Sequence, residues 1–272
     1  VRLFTQEASR EAIMAKYEFL SVERDGRLTI VTINRPEVYN ALHSPAHAEF
    51  DAVFNDFAAD PEQWVGIVTG AGDKAFSASN DLKYQAAGGT RQRVASGFAG
   101  LTNRFDLDKP LIAAVNGFAM GGGFEIALAC DLIIAADNAI FALPEPHVGL
   151  AALAGGLHRL PRIIPLKHAL GMILTGRHVP AEEGKTLGFV NEVVPQAELM
   201  DAAKRWANLI LECSPMSVRA SKQAIYQGFD KPTLEEAINT VYPAVQVLYD
   251  SADFVEGPKA FAEKRPPQWT GS

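Results

Sequence analysis

Cysteine is almost absent: two in 272 residues, Cys130 and Cys213, at no spacing that suits a metal site. Cys130 falls at the end of an apolar helical run, 126–129, and reads as a buried free thiol, which fits a reducing, cytoplasmic setting. Long apolar runs are absent too. No stretch approaches the ~18 consecutive apolar residues of a membrane span, so no membrane partner is expected. Positive charge is in deficit, with 25 Lys and Arg against 32 Asp and Glu for a net −7 at pH 7. That balance disfavours nucleic acid as the main partner and obliges any polyanionic ligand to find a local basic patch. Residues 1–16 carry Arg2, Glu7, Arg10 and Glu11 with no apolar core of a signal. They are expected to form a loose or helical extension with no assigned role. There is no Gly-x-Ser-x-Gly elbow and no lysine after a phosphate-loop glycine run, so serine nucleophilic chemistry and nucleotide hydrolysis have no support.

What is present, 48% hydrophobic and 21% charged, suits one large domain or two small ones. Residues 18–22 and 28–34, parted by Asp25-Gly26, read as a hairpin. Ser44-Pro45 reads as an N-cap followed by a first-turn proline. Phe50, Val53, Phe54 and Phe57 then fall on one helical face. Residues 65–69, 111–116, 132–136 and 189–194 read as strands. Strands alternating with helices indicate α/β layering with parallel crossovers. Residues 84–104, with Gly88-Gly89-Thr90, read as a mobile loop plus a helix. Beyond Gln196 the pattern is helical throughout, over 198–213, 216–227, 234–249 and 253–264. The division is therefore an extension over 1–16, an α/β core over 17–196 and a helical region over 197–272. No low-complexity linker or internal repeat interrupts it.

The most informative stretch is Asn116-Gly117-Phe118-Ala119-Met120-Gly121-Gly122-Gly123-Phe124-Glu125. Three glycines stand between a short apolar strand and a helix start. They allow a tight turn and leave backbone N–H groups open to a ligand, where a helix start already offers unpaired donors. Glu125 lies in that helix start, flanked by Phe124 and Ile126, and Glu145 follows between Pro144 and Pro146, which restrain its backbone. An anion-stabilising turn beside two carboxylates is what a reaction through an enolate-like intermediate needs. The plainer readings are close helix–strand packing for the glycines, an exposed first-turn carboxylate for Glu125 and a loop residue for Glu145. The joint pattern is more specific than any part. Gly70-Ala71-Gly72-Asp73-Lys74-Ala75 fits the dinucleotide fingerprint, but no good helix start and no acidic strand end follow, and the nicotinamide reading is set aside. His43 and His47 have an i,i+4 spacing that could bind a metal. They straddle a helix start and lack a third ligand, so they read as solvent-facing and no metal is expected. His147 is placed to line a pocket, and His158 reads as structural.

Four blocks resemble the crotonase superfamily, the enoyl-CoA hydratase and isomerase group. Asn34-Arg35-Pro36 with Asn40-Ala41-Leu42 is similar to its first CoA-contacting strand end. Ala75-Phe76-Ser77-Ala78-Ser79-Asn80-Asp81-Leu82-Lys83 resembles its A-F-[CS]-A-G-x-D-[LI]-K block. Residues 116–131 resemble N-G-x-A-x-G-G-G-x-E-x-A-x-x-C-D, nearly complete, and 256–265 resemble E-G-x-x-A-F-x-E-K-R. The ending Ala-Phe-Ala-Glu-Lys-Arg-Pro-Pro-Gln-Trp and the run Leu-His-Arg-Leu-Pro-Arg are similar to the carnitinyl-CoA dehydratase branch.

The resemblance implies a spiral of ββα units followed by a helical region that forms a homotrimer or a dimer of trimers. It implies hydration of a 2-enoyl-CoA thioester, with CoA part of the substrate and no separate cofactor. The N–H groups of Asn80 and Gly122 would form the oxyanion hole. Glu125 would deprotonate the water and Glu145 would supply the proton to C2. Arg35, Ala41, Ala78, Asp81, Leu82, Lys83, Phe261 and Lys264 would contact the substrate, the last two in a neighbouring subunit. A dehydratase or double-bond isomerase would use the same oxyanion hole, and retention of both glutamates favours hydration chemistry over isomerisation. A non-catalytic CoA-binding scaffold or an RNA binder is the alternative of another class; both glutamates are kept and the charge is acidic, against each. Two departures concern the acyl pocket. Ser79-Asn80 replaces the common Gly-Ala, and 149–156 replaces a Pro-x-x-Gly-Gly-Thr type loop. The Asn80 amide either faces water or a polar acyl or pantetheine group, or bonds to neighbouring backbone.

Overall fold

The computed structural model describes residues 17–90 and 94–272, and the extension expected over 1–16 lies outside the described residues. β1 (Leu20–Asp25) and β2 (Leu28–Ile33) form the expected antiparallel hairpin. β3 (Val65–Gly70), β5 (Leu111–Val115), β7 (Leu132–Ala136) and β10 (Glu192–Val194) extend it in parallel, in the order β1-β2-β3-β5-β7-β10. A second sheet has the order β4-β6-β8-β9, from β4 (Ala75–Ser77), β6 (Phe118–Met120), β8 (Ile140–Ala142) and β9 (Val179–Pro180). Each long strand β3, β5 and β7 turns into a short strand of the second sheet, and the chain then passes to a helix or a loop. This is the ββα spiral. The short strands have three residues or fewer, too few to display a period of two, so the sequence pattern does not reveal the second sheet.

Both faces of the large sheet are covered, which explains why its central strands read as continuous apolar runs. Alternation still sorts the residues. Ile30, Ile67, Ile112 and Ile134 face one core with Leu199, Ala202, Ala203 and Ala207 of α7 (Leu199–Leu211). Val31, Val68, Ala113 and Ile133 face the other, with Phe50, Val53, Phe54 and Phe57 of α1 (Ser44–Ala59). Each fully buried side chain of this size contributes about 1.5–3 kcal/mol. The C-terminal helical region thus begins with a helix that belongs to the core.

The other helices are α2 (Leu82–Ala86), α3 (Gly122–Ala129), α4 (Gly156–Ile163), α5 (Leu166–Thr175), α6 (Ala181–Leu187), α8 (Pro215–Gly228), α9 (Leu234–Asn239), α10 (Pro243–Tyr249) and α11 (Ala252–Ala262). The single helix expected over 234–249 is two, because Tyr242 before Pro243 is extended at φ −91°, ψ 130°. The strand expected over 189–194 shortens, since the Phe189 and Val190 N–H groups bond back to the Gly184 carbonyl in the middle of α6. Residues 84–104 hold the end of α2 and one 3-10 turn, Phe98–Gly100, rather than a longer helix among the described residues. The cap of α1 is His43, whose Nδ1 accepts from the Ala46 N–H at 3.4 Å, and not Ser44. His43 and His47 are not solvent-facing; both are 8% exposed.

Asn40 ties the end of β2 to the second sheet. It is fully buried, with φ 56°. Its Oδ1 accepts from the Arg35 N–H at 3.0 Å, and its Nδ2 donates to the carbonyls of Ala71 at 3.0 Å and Ala75 at 2.7 Å. Asn40→Ala leaves buried backbone groups unpaired and puts a Cβ-bearing residue without a local hydrogen bond in the left-handed region. A loss of about 3 kcal/mol is expected from urea unfolding. Asn40→Gly, which accepts the backbone conformation, isolates the hydrogen-bond share; a loss much smaller than that of Asn40→Ala would assign the effect to the backbone instead.

Candidate active site

The site is built where α3 starts. Gly121 adopts φ 49°, ψ −119°, and its N–H bonds to the Ala142 carbonyl, which fixes the turn from β6 into the helix. The Glu125 N–H closes the first turn on the Gly121 carbonyl. α3 is apolar on all sides, so Glu125 is carried inward and is 3% exposed. Its Oε1 accepts the Gly156 N–H at 2.9 Å, and the Ala154 N–H adds to this. The loop 149–156 and the start of α4 therefore hold the carboxyl. Burial pushes its pKa up to about 7; the Gly156 bond opposes this, the Glu145 charge adds to it, and Ala154 and Arg159 oppose it.

Glu145 opens a 3-10 turn, Glu145–Val148, with Pro146 in its first turn, and is 9% exposed. Burial also raises its pKa, less its own backbone hydrogen bond. Oε1 lies 2.6 Å from where a Cβ on Gly121 would stand, so a side chain there would push the carboxyl aside, and φ 49° itself favours glycine. Oε2 is buried with no hydrogen-bond partner among the described residues. One carboxyl held by N–H groups thus stands near another with an open, desolvated oxygen. Such a pair, with both pKa values raised by burial and that of Glu125 near 7, can exchange protons with a bound molecule.

The expected oxyanion donors come from two segments. Leu42 forms a parallel bridge with Asn80, donating to the Ser79 carbonyl at 2.8 Å and accepting from the Asp81 N–H at 2.7 Å. That pattern turns the Asn80 N–H away from Leu42. The Gly122 N–H points at the Ser79 side chain and donates to its Oγ at 2.9 Å. The Asn80 amide bonds to a side chain and not to neighbouring backbone. It donates to Oε1 of Gln85 on α2 at 2.9 Å.

The remaining sequence candidates divide. Arg35 pairs with Asp81 at 3.1 Å and donates to the Ala41 carbonyl, while Asp81 Oδ1 caps α2 through the Tyr84 N–H. These bonds join the end of β2 to α2, and any anion would share Arg35 with Asp81. Ala41 is buried, the Ala78 N–H bonds to Tyr39, and Leu82 and Lys83 are exposed on α2. Phe261 is 87% exposed near the end of α11, and Lys264 follows it at φ 55°. Among the described residues neither hydrogen-bonds or stacks with Glu125, Glu145 or Gly122. His147 lies against Gly176, behind the Glu145 turn. Three further contributors take roles that the sequence reading does not assign to them. Ser79 Oγ sits on the Gly122 N–H. Arg159 donates to the Thr102 carbonyl at 2.8 Å with its charge near Glu125. His47 Nδ1 accepts the Ala99 N–H at 3.0 Å and its ring packs on Phe98, which covers Gly122. Burial first, then the His43 charge, hold His47 neutral, with a pKa of about 4. Among the described residues no group of three or more His, Cys, Asp or Glu side chains could hold a metal.

A family model described as enoyl-CoA hydratase/isomerase matches residues 23–272. The carnitinyl-CoA dehydratase of Escherichia coli (strain K12) is 46% identical over 260 residues, which cover 93% of this chain and 99% of that protein. Among solved structures, an enoyl-CoA hydratase from Mycobacterium tuberculosis H37Rv has a TM-score of 0.87 at 37% identity, covering 94% of this chain and 100% of that one. A carnitinyl-CoA hydratase from Mycobacterium avium has a TM-score of 0.75 at 40% identity, with the same coverage of 94% and 100%. The agreement runs from the first hairpin to the last residue, and on that extent the chain belongs to the enoyl-CoA hydratase/isomerase family of the crotonase superfamily.

Proposed function

We propose that this protein interconverts a 3-hydroxyacyl-CoA and its 2-enoyl-CoA thioester, with a polar acyl chain of the carnitinyl kind as the first substrate to test. The observation that carries the chemistry is the pairing of Glu125 and Glu145, two buried carboxyls with raised pKa values, around the start of α3. The carnitinyl-CoA dehydratases among the relatives support the acyl class. The Ser79-Asn80 departure from Gly-Ala and the altered 149–156 loop agree with a chain other than crotonyl.

In the hydration direction, Glu125 takes a proton from water as the water oxygen bonds to C3. The C2–C3 π electrons move toward C1, and charge collects on the thioester oxygen. N–H donors from Gly122 and Asn80 meet that charge, each worth roughly 3 kcal/mol in the transition state. Protonated Glu145 then gives its proton to C2. Dehydration is the reverse: Glu145 removes the C2 proton, and Glu125 protonates the departing hydroxyl. The atoms balance with water and the two carboxyls. A group with a pKa of about 7 is populated in both forms at neutral pH, which suits Glu125 to both directions.

The same reading places the active form in a trimer or a pair of trimers in the cytoplasm, with CoA reached by Phe261 and Lys264 of a neighbouring copy. Exposed apolar side chains on the C-terminal helices, among them Phe229, Leu234, Ile238, Val255 and Phe261, support a subunit interface there. No described helix is long and apolar enough to cross a membrane, and Cys130 is buried and unpaired.

Glu125→Gln and Glu145→Gln should each lower kcat by roughly 10²-fold or more on carnitinyl-CoA or crotonyl-CoA, with CoA-ester binding kept. Turnover of neither ester by the wild type, with binding retained, would favour the scaffold alternative. The Glu125 pKa also predicts a stability effect. Its folded value of about 7 stands above the ordinary 4.5, so its contribution is complete below pH 4.5 and is lost as pH rises through about 7. Glu125→Gln should therefore be stabilising at pH 8, by up to about 3 kcal/mol in urea unfolding, and nearly neutral at pH 4.5. An equal shift at both pH values would count against a raised Glu125. For assembly, mixing Lys264→Glu chains with Glu125→Gln chains should restore some activity; verified mixed oligomers without recovery would make the CoA site intrachain.

A further inference from the structure

The donor meant for the thioester is already occupied. The Gly122 N–H gives its hydrogen bond to Ser79 Oγ at 2.9 Å. Ser79 is half-buried at φ 82°, a left-handed conformation that a serine adopts at some cost and that glycine adopts freely. Its Oγ and Glu145 Oε1 lie 2.7 and 2.6 Å from the point where a Gly121 Cβ would stand, so the hydroxyl sits on the same side of the turn as the proton-transfer carboxyl. The Ser79 carbonyl and the Asp81 N–H are held by Leu42, and the Ser79 N–H lies 3.4 Å from Ser77 Oγ. The backbone is therefore pinned, and the hydroxyl can leave Gly122 only by turning about the Cα–Cβ bond.

We propose that the Ser79 hydroxyl is a displaceable plug of the oxyanion hole, which a thioester oxygen must push off the Gly122 N–H before it can be activated. This rests on the reading of Gly122 as an oxyanion donor. The consequence is selective. A ligand with a thioester carbonyl has to break the Ser79 contact, whereas free CoA, which has no carbonyl at that place, leaves it intact. The plug is removed on binding and stays removed through the reaction, so it weakens substrate and transition state alike. It raises KM and leaves kcat unaltered. A net hydrogen bond of this kind corresponds to about a fivefold change in affinity.

The test uses Ser79→Gly, which suits the backbone, and Ser79→Ala, which keeps the Cβ and removes only the oxygen. Calorimetry with butyryl-CoA and with free CoA gives the two affinities. The absorption of bound hexa-2,4-dienoyl-CoA reports carbonyl polarisation, because polarisation moves it to longer wavelength. Both variants should bind butyryl-CoA about fivefold more tightly than the wild type, bind free CoA equally and keep kcat within about twofold on the substrate that the wild type turns over. Unchanged or weaker butyryl-CoA binding in both, with a red-shifted dienoyl spectrum in the wild type, overturns the plug and leaves the oxyanion reading standing. A wild-type spectrum without any red shift, together with a Gly122 N–H that does not respond to butyryl-CoA by amide NMR, overturns both.

Discussion

Everything at the site depends on how closely α3 approaches the end of β4. A Cβ at Gly123 would stand 2.1 Å from the Ser77 carbonyl oxygen, so only glycine lets the helix start lie there. That approach brings the Gly122 N–H beside Ser79 and sets Glu125 at a depth where loop N–H groups can reach it. It also leaves space at Gly121 for the Glu145 carboxyl. The second sheet serves this contact. Its strands are short, but they fix β4 and β6 side by side, and these lead into residues 77–81 and α3.

The electrostatics follow from depth. Two carboxyls, Glu125 and Glu145, are buried with no cation bonded to either among the described residues. Glu125 is relieved in part by backbone donors and by the Arg159 charge at longer range. Glu145 keeps an oxygen with no partner among the described residues. Burying a charge without pairing raises the pKa of a carboxyl and leaves its proton available near neutral pH. The fold tolerates this because α1, α7 and the large sheet bury apolar area elsewhere. The result is a local concession of stability at the place where protons have to move.

Motif blocks mix structural and chemical residues. Arg35 and Asp81 stand in CoA-like blocks yet pair with each other and tie the end of β2 to α2. Glu256 and Arg265 bracket the last block and form a two-point ion pair, at 2.6 and 2.9 Å, that holds the turn after α11. Asp253 gathers the C-terminal residues by accepting from the Thr270 and Gly271 N–H groups and from Ser214 Oγ. The histidines show the reverse. His43 and His47 suggested a surface pair by spacing, but one caps α1 and the other braces Ala99 beside the Gly122 cover.

Sequence alone determined what depends on neighbours along the chain: the hairpin, the apolar face of α1, the buried strands, the helical C-terminal region, and the glycines and carboxyls of the α3 turn. Those features are written in local spacing and residue type. Tertiary structure decided what depends on contacts between distant segments. The three-residue strands acquire their partners only in the sheet, since nothing in three residues displays a period. The break within 234–249 is local instead: Pro243 pushes Tyr242 out of the helical region, a signal in the sequence that the helical periodicity of the stretch masks. Ser79 and Gly122 are 43 positions apart, and Glu125 and Gly156 are 31 apart. No pattern along the chain can express which hydroxyl rests on which amide, because backbone hydrogen bonds carry no residue signature until the fold has brought the two together.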